Sequence, residues 1–322
     1  MPNPTRALLA SVLVLVAGVL SACTPGGTGQ DAAPQASVQT TTQEKPRVLA
    51  TFTVLADMAS AIGGEHVEVE SLTKAGAEIH GYEPTPSDVR KAADADLILA
   101  NGLNLEAWLE QFLQDANAPA VTVTEGITPL SISEGEGEGY PNPHAWMSPV
   151  AAHTYADNIA AVLADLDPAH ADSYRANADA YKQQLTALQT ELVESLSHLS
   201  DHQRLLVTCE GAFSYLAADA SLDEAYLWAV NSDGETGARR MMELSDRVAG
   251  SAVPAVFCES TVPTRTMEQI ATDTGAHYAG ALYVDSLSDA DGPVPTYLDL
   301  LRYDIALIAE HLGTSTHLDD EG

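Results

Sequence analysis

Short apolar runs alternate with stretches of helical spacing along most of the chain. Four runs in the first half, at 48–52, 67–70, 97–100 and 120–123, have the length and side chains of strands, and each is followed by a turn or a helical stretch. That alternation predicts a parallel α/β layer. A second series of strands is expected at 205–208, 225–228, 255–258 and 277–279, with helices near 212–218, 237–248, 264–274 and 297–312. The predicted fold class is α/β: two α/β lobes with central parallel sheets, one over 46–166 and one over 201–313.

Between the lobes the period changes. Across 167–200, Tyr174, Ala178, Tyr181, Leu185, Leu188 and Leu192 recur at helical spacing, Asp167 and Pro168 form a helix start, and no breaker interrupts the interior. A continuous helix of about 30 residues at 1.5 Å each spans on the order of 45 Å, enough for one rigid connector along both lobes. Large hinge closure is then not expected. No internal sequence repeat relates the two lobes.

The N-terminus follows a different logic. After Arg6 the apolar run at 7–20 is shorter than the ~20 residues of a membrane-spanning helix and ends at Leu20-Ser21-Ala22-Cys23. Residues 1–22 are thus expected to be a signal peptide, and the small residues before Cys23 resemble the lipobox of bacterial lipoproteins, which implies a lipid-modified Cys23. The stretch 23–45 is rich in Gly, Pro, Ser, Thr, Gln and Ala and lacks periodicity, which predicts a flexible tether with a mean reach of roughly 25 Å. Residues 314–322 read as a frayed acidic tail. The expected location is extracytoplasmic, lipid-anchored to the cell membrane.

Composition narrows the function. The 322 residues carry 14 Lys and Arg against 46 Asp and Glu, a formal charge of −32. Such a surface repels phosphate backbones and anionic head groups, so nucleic acid is excluded as a partner. Neither a phosphate-binding GxxxxGK[ST] loop nor an HExxH or GxSxG motif occurs, and no enzyme activity is expected.

Two histidines sit on proline-framed loops before helix starts: His80 in His80-Gly81-Tyr82-Glu83-Pro84-Thr85-Pro86-Ser87-Asp88, and His144 in Asn142-Pro143-His144-Ala145-Trp146-Met147-Ser148-Pro149. Taken singly, each is more often structural than a ligand; two in the same context favour a ligand pair. These segments, with the lipobox and the long connector, resemble the metal-binding lipoproteins of ABC importers, the cluster A-I family, and most closely its manganese-binding MntC and PsaA type. Thr208-Cys209-Glu210-Gly211-Ala212-Phe213 and Tyr283-Val284-Asp285-Ser286 match as well. The resemblance covers 48–312 and implies a monomeric solute-binding protein with His80, His144, Glu210 and Asp285 as metal ligands in the inter-lobe cleft. It also implies partners: a permease and an ATPase on separate chains. Aspartates often flank the second histidine motif of the family; Asn142 and Ser148 stand there instead, which leaves the partner of His144 open.

The ligand set has its own chemistry. Two neutral imidazoles and two carboxylates around a divalent cation sum to zero charge, so the loaded site can be buried. Its hard oxygens favour Mn²⁺, with Zn²⁺ as the alternative because it binds such donors at least as tightly. Zinc binders of the family usually place histidine at the Glu210 position and often carry a histidine-rich loop, whereas the loop at 131–140 contains none. Affinity is expected to weaken below pH ~6.5 as imidazole takes up a proton. Other readings are a zinc or iron importer component, or a surface adhesin with a structural metal.

The cysteines add one expectation. With Cys23 lipidated, Cys209 and Cys258 remain as a pair at two strand ends and are expected to form a disulfide, against the alternative of two buried thiols. Cys209 precedes Glu210, so reduction is expected to weaken metal binding. Glu83, Asp289 and Asp291 are rivals for an outer ligand role. His198 and His202 read as a solvated face, Glu134, Glu136 and Glu138 as a flexible acidic flap, and Trp108, Trp146 and Trp228 as packing residues, with Trp146 shielding His144.

Overall fold

Apolar runs become strands wherever helices cover them. The computed structural model describes residues 44–113, 118–135, 137–229, 237–251 and 253–313; the expected signal peptide, Cys23, most of the tether, Glu136 and the acidic tail lie outside the described residues. β1 (Arg47–Ala50), β2 (Glu68–Ser71), β3 (Leu97–Ala100) and β4 (Ala120–Thr122) form one parallel sheet in the order β2-β1-β3-β4. The register sets Val48 against Val69 and Leu97, and Ile98 against Ala120. Every residue of β3 is buried because the sheet is covered on both faces. Leu49 and Ile98 pack with Ala92 of α2 (Pro86–Asp94) and Phe112 of α3 (Leu109–Phe112), while Val48, Leu97 and Leu99 join the main core with α1 (Thr53–Gly63) and α4 (Ala152–Leu166).

The second series is also parallel. β5 (Leu205–Glu210) pairs with β6 (Asp223–Trp228), and β7 (Ala255–Glu259) pairs with β8 (His277–Leu282), the latter with a register shift between Val256 and Phe257. A disulfide between Cys209 and Cys258, with Cα atoms 4.7 Å apart, ties the end of β5 to that of β7. The helices are α6 (Ser214–Ala220), α7 (Ala238–Ser251), α8 (Arg265–Thr274) and α9 (Tyr297–Leu312). β8 runs to Leu282 rather than stopping at 279, which carries the chain directly to the predicted ligand Asp285.

The connector is shorter than its apolar pattern suggests. It opens as a 3-10 turn, Pro168–His170, and continues as α5 (Ala171–Ser195), a 25-residue helix about 37 Å long. Asp167 fixes its start by accepting from the Tyr174 hydroxyl at 2.8 Å and lying 2.6 Å from His170 Nδ1. At the other end the hydroxyls of Ser195 and Ser197 bond back to Leu192 O and Glu194 O. The same carbonyls keep backbone donors, Leu192 O from Leu196 N at 3.3 Å and Glu194 O from Ser197 N at 3.2 Å, so the helix closes in a tightened last turn. The predicted stripe Tyr174, Ala178, Tyr181, Leu185, Leu188 and Leu192 is buried throughout, so α5 packs along both halves as one continuous element. Among the described residues, no helix is long and apolar enough to cross a membrane.

Because Leu185 is fully buried within that stripe, Leu185→Ala is expected to cost about 2–4 kcal/mol of stability. Urea unfolding of variant and wild type measures this directly, and a loss well under 1 kcal/mol would show that α5 is not a shared core element.

Candidate metal centre

Parallel strands send their carboxyl ends to one side, and all four predicted ligands lie there: His80 after β2, His144 after β4, Glu210 at the end of β5 and Asp285 after β8. The His80 loop is built by its neighbours. Thr85 and Asp88 form a capping box with Pro86 in the first turn of α2. Asp88 Oδ2 accepts from Thr85 N at 2.8 Å, Thr85 Oγ1 at 2.7 Å and the Tyr82 hydroxyl at 2.9 Å. Burial alone would raise the Asp88 carboxyl, but these donors hold it below its usual range. Glu78 accepts from the backbone N–H groups of His80 and Gly81, and Trp108 Nε1 donates to Ile79 O at 3.2 Å.

His144 is fully buried beside the Trp146 ring, their centroids 4.9 Å apart. Its partner, left open by the sequence, is Asn142: His144 Nδ1 lies 2.9 Å from Asn142 Oδ1, an acceptor, so Nδ1 carries the proton and Nε2 presents its lone pair to the cleft. The Asn142 amide donates onward to Gly211 O at 2.7 Å and Ser214 Oγ at 3.1 Å, so one side chain grips both the His144 turn and the residue after Glu210. Gly211 is required here because a Cβ would stand 2.8 Å from the Tyr226 ring. Ser148 plays another part: it donates to Asp219 Oδ2 at 2.5 Å.

The donor atoms converge. His80 Nε2 lies 3.1 Å from His144 Nε2, 3.4 Å from Glu210 Oε1 and 3.9 Å from Asp285 Oδ1, and His144 Nε2 lies 3.7 Å from Asp285 Oδ1. Donors about 2.1 Å from a shared ion in tetrahedral array stand about 3.4 Å apart, within this spread. His80, His144 and Asp285 offer ligand atoms that are mutually within 4.8 Å, and Glu210 joins at the His80 side. Neither carboxylate oxygen of Asp285, a 1% exposed residue, has a hydrogen-bond partner. Buried carboxylate oxygens without donors are costly unless a cation meets them. The residues brought together therefore fit a divalent ion.

Ionisation agrees with that fit. Burial drives His144 from 6.5 down to about 4, Asp285 opposing the shift and His80 adding to it.

Two supporting carboxyls went unmarked in the sequence. Glu259, 1% exposed at the end of β7, accepts from Glu210 N at 3.1 and 3.2 Å. Burial first, and the Glu210 charge second, push its carboxyl well above the ordinary range, and it holds the end of β5 through these bonds. The signal was available: both β5 and β7 end in a Cys-Glu doublet. Asp304 of α9 accepts from Tyr283 N at 2.9 Å and steadies the approach to Asp285. The rivals Glu83, Asp289 and Asp291 are exposed, as are His198 and His202.

The fold and this constellation define a class of cation-capturing proteins. A family model described as ZnuA, zinc-uptake complex component A, periplasmic, matches residues 48–311, and the chain belongs to that family. It is 48% identical over 273 residues to the iron-binding protein YfeA of Yersinia pestis, covering 84% of this chain and 88% of that one. It is 30% identical over 309 residues to the manganese ABC transporter substrate-binding lipoprotein PsaA of Streptococcus pneumoniae, covering 94% and 97%. The Mn-bound periplasmic metal binding protein of Candidatus Liberibacter asiaticus superposes with a TM-score of 0.78 at 38% identity, over 83% of this chain and all of that one. The chain is thus a metal ABC transporter substrate-binding protein and not an enzyme.

Two outcomes follow from the site. His144 stays neutral in the folded protein where the unfolded chain is protonated, so its stability contribution is present above about 6.5 and is lost as pH falls towards 4. The loss is on the order of 3 kcal/mol and should be absent from His144→Asn, as urea midpoints across that window would show. Identical pH slopes in both proteins would contradict it. The same depression means that any loss of metal affinity between pH 6.5 and 5 is carried by groups other than His144. Reduction of the disulfide releases the end of β5 that bears Glu210 and is expected to weaken metal binding. Calorimetric titrations with and without reductant test this, and equal affinities would rule it out.

Proposed function

We propose that this protein captures Mn²⁺ outside the cytoplasm and delivers it to a membrane permease powered by a separate ATPase chain. His80, His144, Glu210 and Asp285 are the ligands in this reading, and Cys23 carries the lipid that anchors the tether. The observation that carries it is the fully buried Asp285 carboxylate, without hydrogen-bond donors and facing two imidazole nitrogens. Two neutral histidines and two ionised carboxylates give the ligand set a charge of −2, matched by one divalent ion. Carboxylates that bind through one or two oxygens allow coordination above four, which suits manganese better than zinc.

Capture and release follow from the way the halves are joined. Gly76 N donates to Ser286 Oγ at 2.7 Å, Leu287 N to Thr53 Oγ1 at 2.9 Å, and Trp146 Nε1 to Val284 O at 3.1 Å. These bonds close the cleft directly around Asp285, so the ion leaves when the permease separates the lobes. The α5 helix limits that separation to a small movement.

A second reading, delivery of iron, is favoured by the name of the 48% identical relative. Calorimetric titration of Mn²⁺, Fe²⁺ and Zn²⁺ into chelator-treated protein distinguishes the readings, with His80→Ala as control. We expect one Mn²⁺ site of sub-micromolar affinity, abolished in the variant. Weak Mn²⁺ binding beside tight Fe²⁺ or Zn²⁺ binding would transfer the assignment to that ion, and no binding of any of them would favour an adhesin.

A further inference from the structure

The acidic stretch between β4 and the His144 turn is not a free flap among its described residues. It folds as a hairpin in which Ser131 bridges Pro141, Ile132 N donates to Tyr140 O at 2.9 Å, Gly139 N to Ile132 O at 3.0 Å and Asn142 N to Leu130 O at 2.8 Å. By chain order this hairpin belongs to the first lobe, yet it is fastened to β6 and α7 of the second. The Tyr226 hydroxyl accepts from Glu134 N and donates to Glu134 O, both at 3.0 Å, and meets Ser133 Oγ at 3.1 Å. Above it, the Arg240 guanidinium gives two parallel bonds to the Glu134 carboxylate, at 2.7 and 3.0 Å, and Arg247 Nη1 lies 3.7 Å away. Arg240 is itself positioned by donating to Tyr226 O and Leu227 O and by covering the Tyr226 ring at 5.4 Å.

This fork is more than a surface ion pair. The Arg240 and Glu134 side chains are 23% and 33% exposed, so the pair is partly desolvated and its planar geometry is set from both sides. The other end of the same hairpin is Asn142, which orients His144 and holds Gly211 O. Among the described residues, the bonds from Leu130 to Asn142 link tip and base. Parting the lobes would strain or break the bonds that hold the tip, and a pair that touches no ligand acts on opening rather than on encounter with the ion.

We propose that Glu134 and Arg240 form an inter-lobe clasp that sets how long the closed cleft retains its cation, acting as positioning residues for His144 through Asn142. The inference rests on the metal-capture reading. It assigns to the acidic hairpin a part in timing release.

The test is a chelator chase on the full-length protein loaded with Mn²⁺, or with Zn²⁺ if it takes up no Mn²⁺, comparing wild type, Glu134→Gln, Arg240→Gln and the double variant. Each single variant is expected to release the ion about 3- to 10-fold faster, the upper range for an exposed to partly buried pair. The double variant should release no faster than the quicker single variant, because both lose one interaction. Wild-type release should also accelerate from about 0.05 to about 0.5 M salt, and that acceleration should vanish in Glu134→Gln, a readout that simple loss of fold would not give. Single variants with wild-type release, fully additive effects, or wild-type release insensitive to salt would each overturn the clasp. Wild type that retains neither ion would overturn the metal-capture reading, and the clasp's role with it.

Discussion

A carboxylate with no donors cannot rest in a protein interior, and Asp285 is held there by the surrounding fold. Around it the structure arranges what a cation needs and withholds what would replace one. The neighbouring imidazole of His144 is kept neutral by burial, its proton committed to Asn142, so its inner nitrogen offers a lone pair. Glu259 is buried behind Glu210, whose backbone N–H it accepts, and its carboxyl is pushed well above the ordinary range. Charge, tautomer and burial therefore point to one kind of occupant, a small divalent ion.

The scaffold supports this through parallel topology. The proposed ligands come from loops after β2 and β4 in one sheet and from β5 and β8 in the other half, so no single loop contains the site. Asn142 joins the halves at the level of hydrogen bonds, and α5 joins them at the level of packing. The first sets local geometry and the second restricts how far that geometry can open. Trp146 belongs to both: it lies against His144 and Phe52 and bonds to Val284 O across the cleft.

Much of this was legible in the sequence, for identifiable reasons. Strands such as Leu97–Ala100 announce themselves because a sheet covered on both faces requires unbroken apolar runs, and the α5 stripe because one face of a long helix is buried. The histidine loops were legible from proline framing and caps. What escaped was set by tertiary contact. The end of α5 is a tightened turn whose carbonyls take serine hydroxyls as well as backbone donors, and Glu134 looked like part of a solvated acidic run because its partner Arg240 is distant in sequence. Glu259 gave a signal in its Cys-Glu doublet, but the upward push on its carboxyl arises only from burial beside Glu210.

The placement of the proposed ligands along the chain has one more effect. His80 and His144 precede α5, whereas Glu210 and Asp285 follow it, and Asp285 lies only a short way before the final helix. A chain still being made, or one whose second half is misfolded, presents two histidines and nothing to complete them. On the proposed ligand set, tight occupancy by the ion is a certificate of finished folding, since ligand binding favours the one state that assembles all four groups.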